Sequence, residues 1–214
     1  MKRKISVILL LSLVFITMYG DGAKKVIAYV LKVRGNVTVQ NGENWDKITS
    51  GYKVINGDVI KVGKKGLAVV KFIDKGDIVA IKENSTIKIQ GKIKNGRIAK
   101  RLFLKVGDIV ASIKKGKEGA FSIATPVATA SIKGTEFGMR FVNDSLSLMM
   151  YKGVVVLFNN QGSVLVHKGE SAFCFKGRMP VVKSGGVVKN NELEIEFMDA
   201  RDVKRKITID YEGK

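Results

Sequence analysis

The sequence predicts an all-β protein: an irregular β-roll, solenoid-like or sandwiched, made of short strands, preceded by an N-terminal signal helix and followed by a small C-terminal strand pair. Three observations carry this reading. Glycine is abundant and proline scarce, 23 and 2 of 214 residues, and aromatic residues make up only 7%, a composition of many tight turns rather than long helices. From Val26 to Phe175, short alternating or wholly apolar runs are broken by Gly, Asn or Asp at intervals of roughly 8–12 residues. No helical period of comparable strength runs through the same region.

The elements follow in chain order. Met1 to Lys4 carries three positive charges and Ile5 to Tyr19 is uncharged and apolar, the form of a secretory signal peptide; residues 1–20 are expected to be an export signal outside the fold. The apolar run falls short of the roughly 20 residues that a spanning helix prefers. The β domain is expected over residues 26–175. Val26–Leu31, Val37–Val39, Leu67–Phe72, Ile78–Ile81 and Thr86–Ile89 are rich in β-branched residues and read as strands. Phe137, Met139 and Phe141 alternate with polar or small residues, Asn143-Asp144 offers a turn, and Leu146, Leu148 and Met150 alternate again, which predicts a hairpin. A second hairpin is expected from Val154–Phe158 and Ser163–His167, around Asn159-Asn160-Gln161-Gly162. Three Gly-Asp pairs, at 57–58, 76–77 and 107–108, each precede Val or Ile; they read either as corners of successive roll turns or as ordinary turn-to-strand transitions. Residues 176–214 are expected to be an extension with two strands, Glu192–Phe197 and Lys206–Tyr211, whose opposed charges suit cross-strand pairing.

Charge and composition exclude much familiar chemistry. Lys and Arg number 38 against 19 Asp and Glu, a formal charge of +19. Removing residues 1–20 leaves 35 against 19, so the basicity belongs to the exported part. The single Cys174 excludes an internal disulfide and any multi-Cys zinc site, and the single His167 excludes His-rich metal sites and most two-histidine schemes. Cys174 reads as a buried thiol and His167 as a strand-end residue. Ser112-x-x-Lys115 matches a serine-lysine acylation pattern, but it stands among strand and glycine-turn residues, whereas that chemistry needs a helix start. The carboxylates Asp74 and Asp77 could serve calcium or a β-helical polysaccharide lyase, although no ligand loop of known spacing supports either. No cofactor and no enzymatic reaction is expected.

Between Lys88 and Lys117 stand ten cations against Asp108 alone, so a local field of one sign is expected there. Lys92, Lys94, Arg97, Lys100, Arg101 and Lys105, together with the lone Trp45, are the candidate binding residues. Trp45 reads either as an anchor for a ligand or as a plug at the core or its rim. Export and a single aromatic residue in the basic window, Phe103, argue against nucleic acid. The partners expected are an envelope protein or an anionic envelope polymer, with lipid headgroups among the anionic candidates; membrane attachment is expected only through residues 1–20, if they stay uncleaved. The alternative is that these lysines are only a solvated face.

Phe121-Ser122-Ile123-Ala124-Thr125-Pro126, then Val127 to Lys133, then Gly134-Thr135-Glu136-Phe137, resembles the FecR domain family: an alternating strand, Thr-Pro, small residues, and Gly-Thr-Glu-Phe. Gly35 to Val39 with Trp45, Gly51 and Gly57-Asp58, then Phe72 to Gly76 with Asn84-Ser85-Thr86, then Tyr151 to Val156 and Lys168-Gly169-Glu170, resemble its remaining pattern in the right order. The resemblance covers about residues 30 to 175. It implies an extracytoplasmic domain without catalytic residues, used in signalling or in interactions within the envelope. Only four residues precede the apolar segment, so a cytoplasmic sigma-restraining part is not expected, and the expectation is a periplasmic or otherwise extracytoplasmic binding or scaffolding module. The motif residues Thr125, Pro126, Gly134, Thr135 and Phe137 are expected to act in folding. Pro126 fixes φ and extends Thr125, Ala124, Ala128 and Ala130 should share one face, and Gly134 should permit a corner that valine would disrupt. The Thr135 hydroxyl should satisfy the backbone that this corner exposes. The runner-up readings are a carbohydrate-active enzyme on a β-solenoid and a nonspecific polyanion binder.

Overall fold

The computed structural model describes residues 25–116 and 121–184, and the two strands 192–198 and 204–210 as backbone. The expected signal segment lies outside the described residues. The chain forms β1 (Val26–Arg34), β2 (Val37–Asn41), β3 (Asn44–Lys47), β4 (Lys53–Ile55), β5 (Val59–Val62), β6 (Leu67–Phe72), β7 (Ile78–Ile81), β8 (Ser85–Lys94) and β9 (Arg97–Ser112). It continues through β10 (Phe121–Ala124), β11 (Thr129–Ile132), β12 (Glu136–Val142), β13 (Ser145–Lys152), β14 (Val154–Asn159), β15 (Gly162–His167), β16 (Glu170–Phe175) and β17 (Val181–Ser184). A separate antiparallel ribbon follows, β18 (Glu192–Met198) with β19 (Lys204–Asp210). The described residues are all-β.

Two sheets share one strand. Sheet I runs β4–β1–β6–β7–β9–β12–β13–β16–β17. Sheet II runs β3–β2–β5–β8–β9–β10–β11–β14–β15. Every pairing is antiparallel except β9 with β10. The first part of β9 pairs with β8 and β10, and its last part, from Gly107, pairs with β7 and β12. Inward-facing side chains of both sheets form one apolar core that includes Phe72, Phe137, Ile60, Ile87, Leu102 and Leu157. Burial of this core is the main favourable term holding the layers together.

The strand expectations of the sequence hold, with additions. The hairpin of β12 and β13 closes through Asn143-Asp144, both at positive φ (50° and 55°), the geometry that matches the twist of the flanking strands. The hairpin of β14 and β15 also forms. Val181–Ser184 pairs with β16, so the sheet runs on past Phe175. The longest hairpin, β8 with β9, turns at Asn95-Gly96 (φ 51° and 69°) inside the basic stretch.

The Thr-Pro segment does not put Ala124, Ala128 and Ala130 on one face as expected. Thr125–Ala128 is a reverse turn between β10 and β11: the Thr125 amide donates to the Ala128 carbonyl at 2.9 Å, and the Thr125 hydroxyl accepts from the Ala128 amide at 3.2 Å. Proline at the second turn position presets the φ that a turn needs. Ala124 and Ala130 therefore sit on neighbouring antiparallel strands, offset by one residue, and Ala130 faces Ile123. Gly134 forms the expected corner, from β11 in sheet II to β12 in sheet I, at φ +72°, and a Cβ there would stand 2.9 Å from the Lys115 Cα. The expected role of the Thr135 hydroxyl is not seen. The Thr135 amide and carbonyl exchange bonds with Ile113 at 3.0 and 2.9 Å, while its buried Oγ1 has no partner among the described residues. Phe137 is fully buried.

At Gly107 the backbone takes φ +108° as β9 leaves one sheet for the other, and a Cβ would lie 2.2 Å from Ser85 Oγ and 2.5 Å from Ser85 Cα. Gly107→Ala is therefore expected to cost on the order of 3 kcal/mol in urea unfolding, through backbone strain and overpacking together. Gly177→Ala, at φ +72° with nothing within 4 Å of its Cβ position, should cost about 1 kcal/mol.

Candidate basic face and buried ion cluster

Parity along β8 and β9 decides where the cations go. Opposed residues in the register share a face, and Lys88 stands opposite Phe103, Gln90 opposite Arg101, Lys92 opposite Ala99, and Lys94 opposite Arg97. Lys94 apart, these point away from the core, because Ile87, Ile89, Ile98, Leu102 and Leu104 are buried on the other side. Lys88, Lys92, Arg97, Arg101 and Lys105 are exposed, and Lys61 of β5 joins them. The Lys94 side chain lies outside what is described. Trp45 is also on this outer face, opposite Gln40, with Lys61 Nζ 5.6 Å from its ring centroid; it is exposed rather than a plug in the core.

Lys100 is the exception among the candidate binding residues. Its position has inward parity, opposite Gly91 and Phe121, and it is 3% exposed. Its ammonium lies 2.7 Å from Asp74 Oδ2 and 2.8 Å from Asp77 Oδ2, and 5.3 Å from the Phe72 ring centroid. Asp74 also accepts from the Ile98 amide at 3.1 Å, and Asp77 from the Lys114 amide at 2.8 Å. The β6–β7 turn of sheet I is thereby fastened to β9. Lys100 is thus a buried structural cation and not part of a binding surface. The carboxylate pair considered for calcium or lyase chemistry is committed to this cluster. Burial pushes the Asp74 carboxyl up, but bonds from Lys100 and from the Lys75 and Ile98 amides, with Coulomb attraction to Lys100, outweigh it and hold its pKa below the usual value.

Sheet II is free of carboxylates from β2 through β15: β2, β5, β8, β9 up to Val106, β10, β11, β14 and β15 contain no Asp or Glu, and Asp46 occurs only on the outermost strand, β3. Sheet I differs, with Asp108, Glu136 and Glu170 in its strands. Its outer face carries a groove of about 570 Å³ lined in part by Lys82, Glu83, Asp108, Arg140, Tyr151 and Phe173. Arg140 and Asp108 pair at 3.5 Å there. Burial raises the Asp108 pKa, against the pull of Arg140 and Lys82. The sequence reading missed this groove. Its one signal was Gly138 between Glu136 and Arg140, where a side chain would meet the Tyr151 hydroxyl. With both signs of charge on its walls, the groove sets up no single-sign field.

The remaining sequence candidates fall as follows. Cys174 is buried, and desolvation raises its thiol pKa while the Asn159 amide, at 3.4 Å, lowers it. His167 ends β15, exposed. Ser112 ends β9, in strand as the sequence implied. Among the described residues no three His, Cys, Asp or Glu side chains converge as a metal site.

The family model described as FecR protein matches residues 58–156, from the Gly57-Asp58 corner into β14. Residues 58–156 are similar to a FecR domain. Two crystal structures of a candidate anti-sigma factor from Parabacteroides distasonis, at 2.50 and 1.65 Å, are similar to it with TM-scores of 0.52 and 0.51. Each is 12% identical, over 59% of this chain and 59% of the other, so the chain spans well under two thirds of those structures and the likeness is one of fold. No curated protein matches. The FecR match contains the ion cluster and the basic hairpin β8–β9, so both belong to the domain rather than to the flanking segments.

Lys100→Met leaves two buried carboxylates without the ammonium that bridges them and should destabilise the β domain by about 3 kcal/mol in urea unfolding at neutral pH. In the wild type, the depressed Asp74 pKa contributes stability that is present above its unfolded value, about 3.9, and is lost as pH falls through the lower folded value. The penalty of Lys100→Met should therefore shrink toward acid pH, as the unbridged carboxylates become neutral.

Proposed function

We propose that this protein is a non-enzymatic, extracytoplasmic FecR-domain module that binds an anionic component of the bacterial envelope through the outer face of sheet II. One observation carries the reading: a sheet without carboxylates on eight of its nine strands, up to Val106 in β9, presents Lys61, Lys88, Lys92, Arg97, Arg101 and Lys105 to solvent. Standing together on one face, these cations have fields that add, which favours anions and speeds their encounter. Export rests on the basic and then apolar residues 1–20. A signalling role is supported by the family match and by the fold shared with the candidate anti-sigma factor.

Reversing charge on this face should be distinguishable from reversing charge elsewhere. Lys88→Glu with Lys92→Glu and Arg101→Glu is expected to lower the salt concentration that elutes the protein from immobilised polyphosphate by about half. The same change at Lys53, Lys64 and Lys168, exposed positions outside this face, should lower it only slightly. Equal losses for both triple variants would mean that net charge, and not this face, governs binding. Recovery of the uncleaved full-length chain in the cytosol on cell fractionation would count against export.

A further inference from the structure

The outer face of sheet II is not uniformly basic. Its register sets up a gradient across the strands. One row runs Gln90, Arg101, Ser122, Ser131, Val156, Leu165, each directly opposite the next on β8, β9, β10, β11, β14 and β15. The neighbouring row runs Lys88, Phe103, Ala124, Thr129, Phe158, Ser163. Each row spans five interstrand steps, roughly 24 Å. Cations stand at one end, hydroxyls lie in the middle, and an apolar group follows: Val154, Val156 and Phe158 are between 37% and 40% exposed and Leu165 is 56% exposed. The strands that carry this apolar group, β14 and β15, hold no charged residue. Trp45, at the other end, lies beside Lys61.

We propose that this face docks flat on an anionic lipid surface. The inference rests on the proposed anion-binding role of the face and names its ligand. A soluble polyanion would engage the cations alone and leave Val156, Phe158 and Leu165 in water. A bilayer interface satisfies the whole gradient: phosphates meet Arg101 and Lys88, headgroup oxygens meet Ser122, Ser131 and Thr129, and the apolar side chains enter the acyl boundary. Guanidinium and ammonium stems lie along such an interface with their charges at phosphate level, and an indole suits the same depth. This contact is distinct from any made by the apolar N-terminal segment, because it depends on residues from Lys88 onward, 69 and more positions past Tyr19.

Trp45 is the only tryptophan of the chain, so it reports on this face alone. The full-length protein is mixed with vesicles containing brominated phosphatidylglycerol, with brominated phosphatidylcholine vesicles as the neutral control. Trp45 fluorescence is expected to be quenched several-fold more by the anionic vesicles. Lys88→Glu with Arg101→Glu should abolish the difference. Val156→Ser with Leu165→Ser, at exposed positions, should raise the half-saturating lipid concentration several-fold and make the remaining binding more sensitive to salt, with the circular-dichroism spectrum unchanged. No quenching by anionic vesicles, or quenching that neither double variant alters, overturns the proposal; the latter would assign membrane contact to the N-terminal segment. If polyphosphate binds in an Arg101-dependent way while the vesicles leave Trp45 unquenched, the lipid inference fails and the anion-binding role stands. If neither ligand responds to Arg101→Glu, both fail.

Discussion

A single strand belongs to both layers, and the rest of the architecture depends on how it crosses between them. At Gly107-Asp108 strand β9 changes sheets, and the crossing is held by Ser85: its hydroxyl accepts from the Asp108 amide at 2.9 Å and lies 3.2 Å from the Asp108 carbonyl. The Lys82 amide donates to that same carbonyl at 2.9 Å. The backbone groups exposed by the bend are therefore satisfied inside the protein, where an unpaired group would be costly. Only a residue without Cβ fits there, because Ser85 occupies the space.

The ion cluster is a second tie across the same boundary. Lys100 enters from sheet II and Asp74 and Asp77 from the β6–β7 turn of sheet I. A buried ion pair is weak evidence for net stability, since desolvation offsets much of its attraction. Its contribution here is to position: a shift of β9 by one residue would turn Lys100 outward and leave both carboxylates unpaired. The cluster thus supports the register that places Arg101 and Lys88 on the outer face, and the register is what makes an exposed basic face out of a basic sequence.

The three Gly-Asp pairs show how local sequence and tertiary position divide the work. All three glycines take positive φ, at 98°, 72° and 108°. The aspartates have different tasks. Asp58 accepts from the Tyr52 hydroxyl and the Ile55 amide, and burial together with the Asp58 charge pushes the Tyr52 pKa up to about 12. Asp77 holds Lys100, and Asp108 pairs with Arg140. A turn signal predicted the conformation each time, but the partner was set by whichever strand packed against the turn.

Local patterning determined most of the strands. Alternation in Phe137–Phe141 and Leu146–Met150, with Asn143-Asp144 between them, suffices for a hairpin because both period and turn chemistry act within a few residues. The same signals were present at Ile89 to Leu104, where Asn95-Gly96 separates alternating isoleucines and leucines, but the intervening lysines and arginines read as a basic window rather than as the outward half of two strands. The single-sign charge was thus legible, while the membership of Lys100 was not, since burial depends on strand parity and on carboxylates 23 and 26 residues away in sequence. The bend at Thr125–Ala128, the groove beside Gly138 and the row from Arg101 to Leu165 are likewise products of the tertiary structure. They join residues that adjoin only when strands distant in the chain pair, and that pairing follows from core burial across both sheets.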